Sequence, residues 1–299
     1  MNSDFLNLET LAADTKINDS NFNSCISEIL KRYDYQRTVH FYKMKAVFRA
    51  RRVDCGTLDD AISVLDNIEQ LSYPRSPEDN KIGRCNFFGK PVFYCSSDKG
   101  TPIFEIRPNL GNFISLTTFV PKEKDSFELT FPIIGVKQLL KSFSQRKIHK
   151  SITEMIEKEM NSLKPAILEI DNYFAELFVK SISEQNNYLY KITAAYFSHV
   201  NSCAVEGRKM DSLLYPSVES EISGYNLAIE TPFVDRELIA KNTEIFYLES
   251  IDNSTYHLVP VCTAVRQDAN GNIEWKKIKT DKRFLLNRLD PSPVFPFRY

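Results

Sequence analysis

Strand-like patterns lie on both sides of a central block of helical periodicity in this chain. The strand patterns, rich in aromatic and β-branched residues, cover residues 41–52, 91–97, 112–120, 127–134, 225–229, 244–251, 256–266 and 272–278. Helical spacing of apolar residues covers 151–178 and 191–203 between them. Strands that are grouped around helices, instead of alternating with them, predict an α+β fold and argue against a doubly wound parallel sheet.

The helical segments carry recognisable start and stop signals. Apolar residues recur every three or four positions over 21–34, which predicts an amphipathic helix that docks on the core. Ser151 and Glu154 fit a capping box, and Pro165 interrupts the helix that follows. The apolar stripe over 155–178 is typical of core packing, with a homodimer surface as the alternative.

Two short segments predict local geometry. Asn270-Gly271 lies between two strand patterns and predicts a two-residue hairpin turn of type I′, in which both residues have positive φ. Ser97 or Asp98 can cap a helix that tolerates Pro102 in its first turn. Glu105 then lies about one helical turn further on, among apolar neighbours. A charged side chain near a buried face is unfavourable unless it has a partner or a function.

The overall charge excludes several classes of partner. The chain has 299 residues, with 38 Lys plus Arg against 39 Asp plus Glu, so no long-range attraction to nucleic acid or anionic lipid is expected. No apolar run approaches the roughly 18 residues that a membrane span needs, and the first residues lack the basic and apolar regions of a leader. We therefore expect a cytoplasmic protein with no nucleic-acid or membrane partner.

Metal chemistry has no support in the sequence. The six cysteines form no C-x-x-C pair, and the four histidines stand far apart without a metal-ligand spacing. Reduced, structural thiols and no metal site are expected.

One arginine, one tyrosine and one carboxylate occur in the turn, strand and helix start of residues 83–105. Arg84 lies between small or polar neighbours in Gly-Arg-Cys-Asn, Tyr94 follows ten residues later, and Glu105 follows in the predicted helix. A guanidinium suits a pyrophosphate, a tyrosine ring can stack on a base, and a carboxylate can stabilise positive charge on a sugar. Taken singly, these residues also fit a surface turn, a core strand and a helix surface.

A second group of polar residues follows far downstream. Ser217 lies in Tyr-Pro-Ser after a short apolar run, and Asn226 precedes a strand pattern. Arg49, Arg51 and Arg52 lie on the first predicted strand, and any of them can reach a phosphate. The order Arg, Tyr, Glu and Ser resembles the RES-domain family over roughly residues 48–232. Cys85 replaces the aromatic residue that is usual in that family, and Asp211-Ser212 replaces its Asp-Gly.

The resemblance implies a fold, a domain organisation and an activity. It implies an ADP-ribosyltransferase-like mixed β core with a helical insertion and a C-terminal β-meander. The predicted domains are an N-terminal helical extension (1–45), a RES-like catalytic domain (46–240) with the insertion at about 136–185, and the meander (241–299). The implied activity is cleavage of NAD at the nicotinamide–ribose bond, by water or by inorganic phosphate, with NAD as substrate and no resident cofactor.

The resemblance also implies site residues and biology. The catalytic residues carried over are Glu105, Arg84, Tyr94 and Ser217, and the substrate-binding residues are Arg49, Arg51 and Asn226. A bacterial toxin or defence effector is expected, with a helix-turn-helix antitoxin or another protein as its neutralising partner. Two alternatives stay open: an ADP-ribosyltransferase that modifies a protein, and a catalytically silent binding or scaffold protein.

Overall fold

The computed structural model describes residues 5, 7–35, 37–76, 81–123, 125–143, 150–205, 208–217 and 224–288. Helices and antiparallel sheets occur in comparable amounts, which confirms the predicted α+β class. The strands are β1 (His40–Met44), β2 (Val47–Val53), β3 (Val92–Cys95), β4 (Phe113–Pro121), β5 (Phe127–Phe131), β6 (Ala204–Val205), β7 (Arg208–Lys209), β8 (Ser212–Pro216), β9 (Tyr225–Glu230), β10 (Leu238–Asp252), β11 (Thr255–Gln267), β12 (Ile273–Lys277) and β13 (Phe284–Asn287).

The helices lie mainly before and between these strands. They are α1 (Leu8–Ala13), α2 (Asp19–Arg32), α3 (Leu58–Val64), α4 (Thr101–Glu105), α5 (Val136–Phe143), α6 (Lys150–Ser162), α7 (Pro165–Val179), α8 (Leu189–Ser202) and α9 (Thr231–Glu237), with 3₁₀ turns at Ile68–Leu71 and Glu184–Asn186. Pro165 interrupts the helical pattern, as the sequence predicts. It begins α7, because a proline in the first turn loses no helical hydrogen bond. The predicted amphipathic helix is α2, which packs against α8.

The largest sheet has the order β12-β11-β10-β4-β2, with β13 beside β11. All of its pairs are antiparallel. The predicted boundary between residues 240 and 241 falls inside β10, and β10 pairs with β4 from Leu238 to Tyr247. The C-terminal strands are therefore part of the same sheet as β2 and β4.

A second sheet has the order β3-β9-β8 and continues towards β5 and β1. A parallel bridge joins Ile133, just after β5, to Leu214 of β8, and β5 pairs with β1. The two sheets meet where Phe48 of β2 and Ser96, after β3, exchange backbone hydrogen bonds of 2.8 and 2.9 Å. Residues of β2 and β3 are thereby brought side by side.

Aromatic side chains fill the core beneath the helices. Phe174 of α7 and Tyr196 of α8 are fully buried, with ring centroids 4.4 Å apart, and Tyr35 donates to or accepts from the Tyr196 hydroxyl at 2.8 Å. Most of the apolar stripe over 155–178 packs inside the chain, which accounts for its helical spacing without a dimer.

A buried ionic network ties the segment before β1 to the helical block. Arg37 forms ion pairs with Asp171 of α7 at 2.7 Å and Glu159 of α6 at 3.1 Å, and it also donates to the Ile133 carbonyl. His40 donates to the other Glu159 oxygen at 3.1 Å. Charges this deeply buried are tolerated only because each has a partner.

Several local predictions need correction. The strand predicted over 41–52 is two strands, β1 and β2, interrupted at residues 45–46, and they belong to different sheets. The hairpin between β11 and β12 forms, but the predicted type I′ turn is wrong, because only Gly271 of the Asn270-Gly271 pair has positive φ. Asp268 organises this loop by accepting the backbone N–H groups of Asn270 and Asn272.

A two-residue hairpin turn with positive φ at both residues, which the sequence pattern does not predict, joins β10 and β11. Asn253 and Ser254 have φ values of 48° and 91°, and the flanking residues Asp252 and Thr255 are paired across the two strands. Serine at the second position hid this hairpin turn from the sequence pattern, which relies on glycine.

No helix in the described ranges is both long and apolar enough to cross a membrane.

Candidate active site

The short helix α4 positions Glu105 at the edge of the core. Gly100 is the N-cap of α4, so neither Ser97 nor Asp98 holds the predicted cap position. Asp98 nevertheless organises the helix start, because it accepts hydrogen bonds from the backbone N–H groups of Gly100 and Thr101 at 2.9 and 2.7 Å. Burial raises the pKa of the Asp98 carboxyl, against the effect of these donors. Ile103 and Phe104 are fully buried, while Glu105 remains partly exposed.

Ser217 holds the Glu105 carboxylate from the opposite side. The Ser217 hydroxyl is fully buried and donates to Glu105 Oε1 at 2.5 Å. Ser217 immediately follows β8, and its own N–H donates to the Gly224 carbonyl at 3.1 Å. Only glycine fits at position 224, because a Cβ there would collide with the Thr101 hydroxyl. The end of β8 and the start of α4 are thus locked together behind the carboxylate.

A cavity of about 490 Å³ opens in front of Glu105, and we call it the Glu105 cavity. It lies where the two sheets meet. Its lining comprises Arg49, Ala50, Arg51, Arg52, Asp54, Arg84, Tyr94, Cys95, Pro102, Glu105, Ile106, Tyr215 and Asn226. Six of the seven predicted site residues line this cavity, and the seventh, Ser217, is bonded to Glu105. The structure therefore brings all seven to one place, and their roles stay predictions.

Arg49 and Arg51 of β2 form one wall of the Glu105 cavity. Arg49 donates to the carbonyls of Ser72 and Tyr94 at 3.1 and 2.8 Å, and Arg51 donates to the Gln70 carbonyl at 2.6 Å. Burial lowers the pKa of Arg49 to about 10, which still leaves it protonated at neutral pH. Both guanidinium groups are held in place and add positive charge to the cavity wall.

Arg84 has a different environment from the one that the sequence predicts. Its guanidinium donates to the carbonyls of Leu177 and Lys180 at 3.2 and 2.9 Å, at the C-terminal end of α7, and it lies 5.7 Å from the Tyr190 ring centroid. Arg84 thus lines the cavity and also anchors the end of a helix, where a cation is favoured by the unpaired carbonyls.

Tyr94 uses its hydroxyl within the protein. The hydroxyl accepts the Cys85 N–H at 2.7 Å and donates to Asn86 Oδ1 at 2.7 Å, which braces the turn that begins at Gly83. A Cβ at Gly83 would come within 2.6 Å of Asn86 Oδ1, so this turn needs glycine. The hydroxyl is thus engaged within the protein, and the part that Tyr94 plays towards a ligand stays a prediction.

Asn226 leaves an unpaired donor at the cavity. It is 4% exposed, and its Nδ2 has no hydrogen-bond partner among the described residues. A buried donor without a partner costs free energy unless a ligand or water satisfies it. The sequence pattern assigns no role to Asn86, which accepts the Tyr94 hydroxyl, or to Tyr215, which pairs with Asn226 across β8 and β9.

The Glu105 cavity adjoins a larger space along the same wall. This space, the Arg75 cavity, measures about 680 Å³ and is lined by Arg49, Arg51, Glu69, Gln70, Ser72, Pro74, Arg75 and Ser76. Arg49 and Arg51 line both cavities. The two cavities therefore lie next to each other along β2.

Comparisons with known proteins add no assignment. The sequence matches no protein-family model and no curated protein. Within the described part of the chain, no group of three or more His, Cys, Asp or Glu side chains is placed to hold a metal ion. The chemistry of the site must therefore be argued from its own side chains.

Proposed function

We propose that this chain cleaves NAD at the bond between nicotinamide and ribose, with the Glu105 cavity as its active site. One observation carries the proposal: a carboxylate held by a buried serine and an unpaired amide donor meet in a cavity with arginines on its wall. An anionic dinucleotide needs cations along its phosphates and polar groups at the reacting sugar. Glu105, Asn226 and the arginines supply both.

Glu105 would act on the reacting sugar. When the bond between ribose C1′ and the nicotinamide nitrogen breaks, the bonding electrons go to nicotinamide and positive charge builds on the sugar. A fixed carboxylate stabilises this charge more in the transition state than in the substrate. Ser217 contributes by orienting Glu105, since the bond that it donates fixes one carboxylate oxygen.

The nucleophile completes the reaction at C1′. Water would donate an oxygen to C1′, lose a proton and yield ADP-ribose, whereas inorganic phosphate would yield ADP-ribose that carries phosphate at the same carbon. Phosphate needs a cation beyond those that hold the pyrophosphate. Arg52 is paired with Asp54 at 3.1 Å, so Arg49 and Arg51, which also line the cavity, are the residues that would supply this positive charge.

The proposal includes an ADP-ribosyltransferase-like core of the RES-domain kind. It is supported by the two sheets that meet at Phe48 and Ser96 and by the position of the cavity at that junction. Arg49 and Arg51 come from the larger sheet, and Tyr94 and Asn226 come from the smaller one. Unregulated loss of NAD in a cell would arrest growth, which fits a toxin or defence effector with a neutralising partner.

The test is incubation of the purified chain with NAD, with and without inorganic phosphate, followed by identification of products by mass. Nicotinamide release is expected in both conditions or only with phosphate. ADP-ribose alone in phosphate buffer would make the enzyme a glycohydrolase, and the phosphorylated product would make it a phosphorylase. Intact NAD after prolonged incubation at high protein concentration would overturn the proposal.

A further inference from the structure

A separate cavity lies on the other side of the turn that carries Arg84, and we call it the Asn201 cavity. It measures about 370 Å³ and lies between α8, the start of α9 and the turn before β3. Its lining comprises Cys85, Asn86, Phe87, Lys90, Pro91, Val92, Ala194, Phe197, Ser198, Asn201, Ser202, Lys209, Glu230, Thr231 and Pro232. A cavity of this size is large enough for a small organic molecule.

Asn201, which lines this cavity, has an unsatisfied acceptor. The residue is 2% exposed, its Nδ2 donates to Glu230 Oε1 at 3.2 Å, and its Oδ1 is buried with no hydrogen-bond partner among the residues that the structure describes. Buried carbonyl oxygens are nearly always paired, so an unpaired one in a residue that lines a cavity indicates a missing donor. A ligand with an N–H or O–H group would supply it.

The charged residues of the cavity favour a negative group on the ligand. Lys209 Nζ lies 2.7 Å from Glu230 Oε2, so both oxygens of Glu230 already have a donor within the protein. Lys90 is exposed on the same lining and adds a second cation. Two lysines against one glutamate leave the lining with a net positive charge, which attracts an anion.

The remaining walls are apolar and partly aromatic. Phe87 and Phe197 are 5% exposed, and Val92 and Ala194 are buried beside them. Aromatic side chains that line a pocket favour a planar ligand body, since ring packing adds to the area that is removed from water.

We propose that the Asn201 cavity is a second ligand site, for a planar aromatic molecule that carries an N–H donor and an anionic group, in the manner of a purine nucleoside monophosphate. The donor would pair with Asn201 Oδ1, the ring would lie between Phe87 and Phe197, and the anion would meet Lys90 and Lys209. The proposal needs no catalysis at the Glu105 cavity, so it stands even if the proposed function fails.

The two cavities share a wall. Asn86 lines the Asn201 cavity, and its Oδ1 accepts the hydroxyl of Tyr94, which lines the Glu105 cavity. A ligand in the Asn201 cavity therefore contacts the residue that braces Tyr94.

The test is calorimetric titration of the full chain with AMP, with adenosine and ribose 5-phosphate as probes that lack one part each. One AMP molecule should bind in the Asn201 cavity, and its Kd should be lower than that of adenosine or ribose 5-phosphate. Asn201→Ala should weaken AMP binding about ten-fold or more, because the acceptor is lost. Lys90→Ala, at an exposed position that does not threaten folding, should weaken AMP binding at low salt but leave adenosine binding unchanged.

A matched variant separates the two cavities. Arg51→Ala alters the Glu105 cavity and should leave this AMP binding unchanged, with folding of every variant checked by circular dichroism. Absence of saturable AMP binding in the wild type would overturn the proposal. So would AMP binding that is unchanged in Lys90→Ala and lost in Arg51→Ala, since AMP would then occupy the Glu105 cavity.

Discussion

Ser217 and Glu105 are 112 residues apart in the chain and are joined by a hydrogen bond of 2.5 Å from the serine hydroxyl to Oε1. The serine is fully buried, so water does not compete for its proton, whereas Glu105 is partly exposed at the cavity. The bond connects the end of β8 with the end of α4. An acidic residue that is fixed from behind and open in front is suited to stabilise charge on a bound molecule.

Replacement of Glu105 by glutamine should separate catalysis from binding. Glu105→Gln keeps the shape and removes the negative charge, so NAD cleavage should fall by about two to four orders of magnitude, equivalent to about 3–5 kcal/mol of transition-state stabilisation. The change should appear in kcat, with KM close to wild type. Glu123→Gln, at an exposed position before β5, is the control. Equal, small effects of both changes would place the chemistry elsewhere.

Removal of the Ser217 hydroxyl should have a smaller effect of the same kind. Ser217→Ala leaves the Glu105 charge in place but frees the oxygen that the serine holds. We expect kcat to fall by about ten-fold, because this corresponds to about 1.4 kcal/mol, the contribution of one hydrogen bond. KM for NAD should change little. Steady-state kinetics of Ser217→Ala beside Ser181→Ala, an exposed serine after α7, measures this. A wild-type kcat in Ser217→Ala would show that the bond has no part in catalysis.

Two substitutions of Tyr94 should have different consequences. Tyr94→Phe removes the hydroxyl that pairs with Cys85 N–H and Asn86 Oδ1, so it should lower the free energy of unfolding by about 1–3 kcal/mol. Because the ring is kept, KM for NAD should stay near wild type. Tyr94→Ala should also raise KM, since the ring surface at the cavity is lost.

Urea denaturation and steady-state kinetics on the two Tyr94 variants are the measurements. A large rise in KM with Tyr94→Phe and no loss of stability would mean that the hydroxyl contacts the ligand and not the turn.

The candidate residues of the site are marked by local signals in the sequence, and their roles stay predictions. Gly83 and Arg84 lie in a glycine turn, Glu105 follows a cap and a proline, and Ser217 follows Tyr-Pro, so a resemblance in residue order was enough to select them. The hydroxyl of Tyr94 could not be assigned in this way. Its partners depend on how the Gly83 turn folds back on β3, which no spacing records.

The sheet order could not be predicted for a similar reason. β4 pairs with β2 and β10, and β10 begins more than 115 residues after β4 ends. Alternation along a strand shows which face is buried but not which strand lies beside it. The same limit hid the break at residues 45–46, because β1 and β2 have similar patterns and only their partners differ.

The buried network around Glu159 gives a prediction that does not depend on the proposed function. Burial opposes ionisation of Glu159, but the hydrogen bond from His40 and the charge of Arg37 outweigh it and lower the Glu159 pKa below its ordinary value. A carboxyl with a lowered pKa stabilises the fold above its ordinary pKa, and that contribution is lost as the pH falls through the folded value. The pKa of Asp171 shifts in the opposite direction. Burial raises it, and the charge of Arg37 only partly offsets that rise.

Comparison of wild type with Glu159→Gln isolates the Glu159 contribution, because Asp171 is present in both. At neutral pH the substitution should cost about 3 kcal/mol, since Arg37 and His40 lose a buried charged partner. The difference between the two proteins should shrink as the pH falls below the ordinary glutamate pKa. Urea denaturation across the acid range measures it, with Glu157→Gln, on an exposed face of α6, as the control. A difference that stays constant with pH would show that Glu159 stabilises the fold by packing and not by charge.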